Sequence, residues 1–547
     1  MSKATWQFRR YAESLLSAEA STVQLRSHAD VHIALVYPNS YEVGMANLGF
    51  QSLYRLLNGC GETRCERAFL GEGPLAREVR TLESGRPLRE FDIVAFCLSF
   101  ELDYFNAVWM LHLAGIPVLW RERRERDPLV LVGGTAVTLN PAPMMPIADL
   151  LFIGEADEAV DKIVAACRAG RDAGRGRAGV VEAVGGVSGV LAPASVGTHH
   201  APTVCRQYVA ELRAHPTFSA VVTPASHYRN MFLVEVGRGC TRGCSFCAAG
   251  HIYRPKRVLS ADEVEELVRR YIFATRRVGL VGAALSDFPD LDLLCERLAD
   301  EGYTLGLSSF RIDRLTPRLL RALARAEVHS ISLAPEAGSE RLRMLINKRI
   351  TDSHIDKALA LVAEAPLEAL RLYFMIGLPG ETHADLEAIV RLVRQAAGRF
   401  LRKGTKRQIT VSINALIPKA WTVFQWAAVL ERKDLQERRA YLEGVLRRIP
   451  GVKVRPKSVR QELLQAVLSL GGPEVGEALS LKVTKGLSWP LAFAEAGLDW
   501  RALIHQPRTL EQRFPWDIVD SGLDRAQLWR RWHKLQSDAL SPSAGTA

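Results

Sequence analysis

Long hydrophobic runs are missing from this sequence. The longest, Ala107–Trp120, carries His112 and Pro117 and is too short to span a bilayer. Behind Arg9 and Arg10 the chain reads YAESLLSAEAS, too polar for the apolar core of a signal peptide. No repeat of fixed period is present, which excludes a solenoid or propeller. Cysteine is sparse and odd in number: nine in 547 residues, six of them scattered at 60, 65, 97, 167, 205 and 295. That pattern excludes a disulfide framework and fits a reducing compartment. These absences lead us to expect a cytoplasmic protein with no membrane partner.

What is present is ample apolar material, 48% of the residues, enough for roughly three domains of about 150 residues. In residues 31–167 the runs VHIALVYP, FDIVAF, LVLVGG and ADLLFIG alternate with helix-like stretches such as NLGFQSLYRLLN and ELDYFNAVWMLHLAG. The alternation predicts a doubly wound, Rossmann-like parallel sheet behind a short helical lead-in over residues 1–30. Ligands of such sheets sit beyond the C-terminal strand ends. There the chain is rich in Gly and Pro: Pro38–Gly44, Ser99–Asp103, Gly133–Pro141 and Gly154–Glu158. Loops of that composition, poor in catalytic groups, suit a large flat ligand held by backbone and shape. Plain turn chemistry is the other reading of the same loops.

Residues 168–225 open with RAGRDAGRGRAGVVEAVGGVSGV and read as a linker or surface segment. Alternation resumes over 226–430. MFLVEVG, LVGAALS, TLGLSS, SISLAPE, LRLYFMIG and TVSINALIP predict six strands of a parallel sheet or incomplete (β/α)6 barrel. Residues 431–547 read as mostly helical, ending in a disordered SPSAGTA. From Leu401 onward there are 24 Lys and Arg against 14 Asp and Glu, and seven of the ten tryptophans. A basic, Trp-rich region is either an anionic-partner surface or a small helical domain with a Trp core and solvated arginines. Because IPKAWTVFQW leads into it directly from the last barrel-like strand, we expect it to cover the substrate opening.

Three cysteines stand apart from the others. Cys240, Cys244 and Cys247 lie in EVGRGCTRGCSFCAAGHIYRPKR with the spacing C-x3-C-x2-C, directly after a predicted strand. A short glycine-rich loop of thiolates suits iron–sulfur ligation. Three ligands on a four-iron cluster leave one iron open to bind a substrate group. Zinc held by the three cysteines and His251 is the competing reading.

The loop, with Phe246 just before its last cysteine, resembles the signature of the radical S-adenosylmethionine (radical SAM) superfamily. The resemblance extends through VYPNSYEVGMANLGFQSLYRLLN, LSSFRIDRL, SLAPEAGSERLRMLINK, LYFMIGLPGET and IPKAWTVFQW, and reaches FPWDIVDSGL. Together these are similar to a subfamily with a cobalamin-binding-type N-terminal domain. The resemblance implies a [4Fe-4S] cluster on Cys240, Cys244 and Cys247, S-adenosylmethionine chelated by the open iron, and a deoxyadenosyl radical that takes hydrogen from an unactivated carbon. It also implies cobalamin held at Tyr41, Gly44, Ser99, Gly133, Gly134 and Gly154, and hence C-methyl transfer as the first reading. A non-methyl radical reaction is the alternative, and a nucleic-acid or protein binder with a structural cluster is a third.

Phe246 is expected near the adenine, and Glu336 at cofactor hydroxyls or the ammonium unless it pairs with Arg341 or Arg343. Ser308 and Arg311 are expected at the carboxylate or ribose, Arg311 having Asp313 as its other partner. Gly377 and Pro379 stand where backbone would pass a flat ligand or form an ordinary turn. ALSDF, 284–288, departs from the superfamily's Gly-Gly-Glu stretch, which leaves the amino-group ligand open. The D-x-H-x-x-G pattern of many cobalamin domains is absent, so cobalamin is expected without a histidine below the cobalt. An external donor such as flavodoxin or ferredoxin is implied, and the substrate is a small molecule, a peptide or RNA.

Overall fold

The apolar runs of residues 31–167 pair into a six-stranded sheet in the order Thr63–Phe69, Val31–Tyr37, Ile93–Cys97, Leu129–Gly133, Leu150–Phe152, Val190–Leu191. The first five strands are parallel and the last is antiparallel. The computed structural model describes residues 3–71, 78–195, 204–402, 404–455 and 457–540, and the SPSAGTA tail lies outside them. Because the chain winds outward on both sides of Val31–Tyr37, the switch of direction falls between that strand and Ile93–Cys97. The crevice there is opened by Pro38–Ser40 and Leu98–Ser99.

Thr63–Phe69 is an edge strand that the apolar pattern does not reveal, since TRCERAF carries three charged residues. They are satisfied internally. Arg67 lies between Glu19 and Glu83, each at 2.7 Å, and all three side chains are almost fully buried. The Gly- and Arg-rich stretch read as a linker folds instead as two packed helices, Val160–Asp172 and Gly176–Gly185, which bury Ile163, Val164, Val180 and Val184.

The second unit contains the six expected parallel strands: Phe232–Arg238, Arg277–Gly282, Thr304–Leu307, Ser330–Glu336, Ala369–Ile376 and Gln408–Ala415. Its two halves meet at a parallel bridge between Phe310 and Leu333. A seventh parallel strand, Val452–Arg455, comes from the region expected to be helical. Helices start promptly after the strands because their caps are built in. Ser260, Thr316 and Ser339 each accept a hydrogen bond from the third residue of the following helix. The loops that carry chemistry therefore collect at the C-terminal strand ends.

The C-terminal helices Arg432–Leu446, Val459–Leu470, Pro473–Thr484, Trp489–Glu495, Trp500–His505 and Arg525–Leu540 close around the barrel-like sheet and the first unit. Trp421, Trp426, Trp516 and Trp532 are buried, so most of the tail tryptophans are core. Val519–Asp520 pairs in parallel with Val204–Cys205, tying the end of the chain to the connection between the two sheets. Among the described residues no helix is long and apolar enough to cross a membrane.

Candidate active site

Cys240, Cys244 and Cys247 follow the C-terminal end of the Phe232–Arg238 strand. The turn into the loop is Gly239, at φ +85°, where a Cβ would stand 2.3 Å from the Tyr253 carbonyl oxygen; only glycine fits. The loop is pinned from four sides. Ser245 N–H donates to Ile346 O (3.0 Å), Phe424 N–H to Ser245 O (3.2 Å), Asn347 Nδ2 to Gly243 O (2.6 Å), and Arg531 to the same Gly243 O (2.7 Å).

The donor set fits an anionic cluster. The Arg242 amide points at Cys240 Sγ, 3.5 Å away. Burial pushes the Cys244 and Cys247 thiols up. Lys348 and Arg311 pull Cys244 back toward the thiolate, and the Ala249 and Gly250 amides do the same for Cys247. Cations and amide N–H groups around cysteine sulfurs stabilise iron–sulfur charge. His251 is buried with neither ring nitrogen hydrogen-bonded. Burial, helped by Arg531 and Arg254, pushes its pKa down to about 4, so its imidazole is neutral.

Around Cys244 the structure gathers several of the residues expected there. Lys348 Nζ lies 3.0 Å from Glu336 Oε1 and 5.8 Å from the centroid of the Phe246 ring. Lys348 thus holds Glu336, where Arg341 and Arg343 had been the expected competitors; those pair with Asp385 and Asp352. Arg311 bonds Asp313 (2.9 Å) and the Lys348 carbonyl (3.0 Å). Ser308 is exposed at its strand end. From ALSDF, Ser286 accepts from the Arg311 amide and Asp287 accepts from Arg242 Nε at 2.7 Å, so this segment braces the cysteine loop. A Cβ at Gly377 would stand 3.3 Å from the Leu430 and Leu435 side chains, which places the Gly377–Pro379 turn against the start of the C-terminal region.

A cavity of about 540 Å³ joins the two units. Gly133, Gly134 and Gly154 enter it from the first sheet, and Gly237, Arg238 and Gly239 from the strand that leads to the cysteines. It continues as an apolar slot along the sheet face beside Ile33, Leu35, Ile93, Ala95 and Leu131. Ser99 is part of the lining and accepts from Asn47 Nδ2 at 3.0 Å. Thr135 Oγ1 and the Tyr253 hydroxyl meet across the cavity at 2.6 Å. Tyr41 and Gly44 do not line it. The Tyr41 hydroxyl bonds Glu19 (2.5 Å), and Gly44 packs on Phe69. Among the described residues no histidine lines it, and His32 faces Arg86 at 3.3 Å.

Family models match two stretches of the chain: "Radical SAM proteins, N-terminal" over residues 49–193 and "Radical SAM superfamily" over 234–393, together more than half of it. The second stretch contains the cysteine loop and its Glu336–Lys348 wall. The chain belongs to the radical SAM superfamily. The cofactors of this radical SAM protein are accordingly a [4Fe-4S] cluster and S-adenosylmethionine, and Cys240, Cys244 and Cys247 are the thiols its loop offers. An uncharacterized protein of Methanocaldococcus jannaschii is 28% identical over 82% of this chain and 90% of its own length. A tRNA-2-methylthio-N(6)-dimethylallyladenosine synthase of Sorangium cellulosum is 30% identical over 33% of this chain and 42% of its own. Among solved structures, the radical SAM methyltransferase TsrM of Kitasatospora setae, with cobalamin and a [4Fe-4S] cluster bound, superposes with a TM-score of 0.49 at 12% identity. That superposition covers 92% of this chain and 99% of TsrM.

Sequence reasoning did not single out two parts of this radical SAM site. Lys348 is twelve residues from its partner Glu336, a spacing that marks no motif. The second part is an ion cluster between the units. Arg238 donates to Glu235 (2.8 Å), Glu155 (2.8 Å), both oxygens of Asp157 (3.0 Å) and Thr217 (2.9 Å), and Arg257 holds the other side of Glu155 (2.8 Å). The Asp157 and Glu155 carboxylates come from the Gly154 loop and Arg238 is two residues before Cys240, so the cluster sets one cofactor loop against the other.

Proposed function

We propose that this radical SAM enzyme transfers a methyl group to an unactivated carbon, with cobalamin held in the cavity between the first sheet and the cysteine loop. The observation that carries the reading is the continuity of that cavity: the strand ends expected to hold a flat macrocycle open directly onto the residues that precede Cys240. Gly133 has room for a Cβ there without displacing a neighbour, since the nearest atom to it would be Phe152 Cβ at 3.6 Å. The apolar slot along the sheet face suits a tail appended to the macrocycle. Bound together, the cluster, S-adenosylmethionine and methylcobalamin supply a hydrogen-abstracting carbon radical and the methyl group.

The chain's own residues bind and orient. Cys240, Cys244 and Cys247 hold the cluster, and Lys348, Arg311 and the loop amides favour its negative charge. Phe246, Glu336 and Lys348 wall the neighbouring space for S-adenosylmethionine. Lys419, which pairs with Glu101, and Trp421, whose Nε1 donates to Leu139 O (3.1 Å), stitch the IPKAWTVFQW segment over the first unit's loops and limit access of water. Reducing equivalents come from an external donor of the flavodoxin or ferredoxin type.

The test is anaerobic purification with and without hydroxocobalamin, followed by iron, sulfide and corrin analysis. Iron and sulfide should be lost on changing any one of the three cysteines to Ala, and a corrin should be retained by the parent. Protein that binds no corrin yet cleaves S-adenosylmethionine to deoxyadenosine would assign the site to a non-methyl radical reaction. A zinc-loaded, iron-free protein would falsify the cluster assignment itself.

A further inference from the structure

A second cavity, of about 770 Å³, lies in the C-terminal region away from the cysteine loop. Its walls come from the start of the Arg432–Leu446 helix, the first turns of Val459–Leu470, and the short helices Trp489–Glu495 and Trp500–His505. Two features set it apart. The first is aromatic walling by Trp489, Phe493 and Trp500. These two tryptophans are only partly buried, whereas Trp426 and Trp516 are fully covered. The second is charge. Arg432, Arg460 and Arg501 are exposed at the rim, and no carboxylate pairs with any of them among the described residues. Among the described residues the one lining acid is Glu431, 3.6 Å from His505.

Three guanidinium groups without a carboxylate partner stand beside aromatic rings, Arg501 lying over Trp500 at 5.3 Å from its centroid, and together they select for a ligand that is both flat and anionic. A purely apolar ligand leaves the arginines unused, and a bare inorganic anion leaves the rings unused. Arginine forks match phosphate oxygens, and bases of any sequence stack on aromatic side chains. The volume is within the usual range for small-ligand sites. We propose that this cavity binds a nucleotide, its base against the Trp489 and Trp500 rings, with Phe493 packed behind Trp489, and its phosphate at Arg432, Arg460 and Arg501. The Val459–Leu470 helix links it to the site cover. Further along that helix Gln465 donates to Glu101 (3.2 Å) and Ser469 donates to Pro418 O (3.2 Å). A nucleotide seated here is therefore anchored on the same element that contacts the Lys419–Glu101 pair.

The experiment titrates the anaerobic, cluster-loaded full chain with adenosine 5′-monophosphate, adenosine, inorganic phosphate, a single-stranded eight-nucleotide RNA and an acidic tyrosine-containing peptide, following tryptophan fluorescence and calorimetry. The monophosphate should bind at least tenfold tighter than adenosine or phosphate. Arg460→Glu with Arg501→Glu should weaken it tenfold or more, while iron content and substrate-free cleavage of S-adenosylmethionine stay unchanged. RNA tighter than the monophosphate, with a steep salt dependence, identifies a strand as the source; equal affinities identify the free nucleotide. Both outcomes support the site. Equal binding of adenosine and the monophosphate, no response to the double charge reversal, or tighter binding of the acidic peptide overturns it. Should the double variant not fold, Arg432→Gln, at an exposed position, must still reduce the affinity for the proposal to stand.

Discussion

Replacing Arg238 with Met tests the ion cluster that joins the two cofactor loops. The guanidinium is 9% exposed and contacts three carboxylates. Glu155 keeps Arg257 after the change, so its charge stays paired. Asp157 and Glu235 lose their partner, and their side chains are only 11% and 22% exposed. Removing one member of a buried pair costs about 3–5 kcal/mol. With one of the three acids still paired and two near the edge, about 3 kcal/mol is expected here. The loss depends on pH with a definite sign. Burial already raises the Glu235 pKa against the pull of Arg238, and without Arg238 it rises further. A carboxyl whose folded pKa is raised contributes stability that is present at low pH and lost as pH rises through that pKa. The deficit against the parent should therefore be small near pH 5 and full near pH 8. Urea unfolding of both proteins at the two pH values, followed by tryptophan fluorescence, measures it. Glu235→Gln added to Arg238→Met should restore much of the loss at pH 8. A variant as stable as the parent at pH 8, or one indifferent to Glu235→Gln, refutes the reasoning.

Gly134 and Gly133 should respond differently to Ala. Gly134 is at φ +112°, where a Cβ would lie 2.4 Å from Leu98 O, so Gly134→Ala should lower the melting temperature with or without a corrin, whereas Gly133→Ala should leave the apoprotein's melting temperature close to the parent's. Asp103, at the mouth of the first sheet, has its pKa raised to about 6 by burial; the stability it contributes is full below about pH 3.8 and lost as pH rises through about 6, so Asp103→Asn should gain on the parent in melting temperature between pH 4 and pH 7. Lys348→Met leaves Glu336 unpaired beside Cys244 and should weaken S-adenosylmethionine binding about tenfold, roughly 1.4 kcal/mol, with iron content retained; unchanged affinity by equilibrium dialysis would remove Lys348 from the site.

Much of this arrangement is legible where local pattern and chemistry agree. The cysteine loop follows a strand, and six parallel strands of the second unit appear as apolar runs because each buries at least one face. Thr63–Phe69 is hidden because Glu66 and Arg67 are satisfied by residues far along the chain, and a charged strand scores as surface. The helices Val160–Asp172 and Gly176–Gly185 are masked by glycines that depress helix propensity, and packing overrides that propensity. Lys348, Arg238 and the stitching role of Lys419 depend on side chains meeting across 12, 81 and 318 positions; no local spacing records such meetings. Trp426 and Trp516 show the reverse limit. Composition marks the basic tail as rich in tryptophan, but only packing separates the buried rings from Trp489 and Trp500 at the second cavity.

The bond from Arg531 to the Gly243 carbonyl has a consequence for biosynthesis. The residue that finishes the cysteine loop is made 288 positions after the carbonyl it holds. At about 5–20 residues per second, the loop waits roughly 15–60 s outside the ribosome before its last brace exists. The strand pair between Val519–Asp520 and Val204–Cys205 is delayed in the same way. The full set of braces is thereby available only once residue 531 has been made, and an expression host that starves for iron late in induction should accumulate folded but cluster-poor protein.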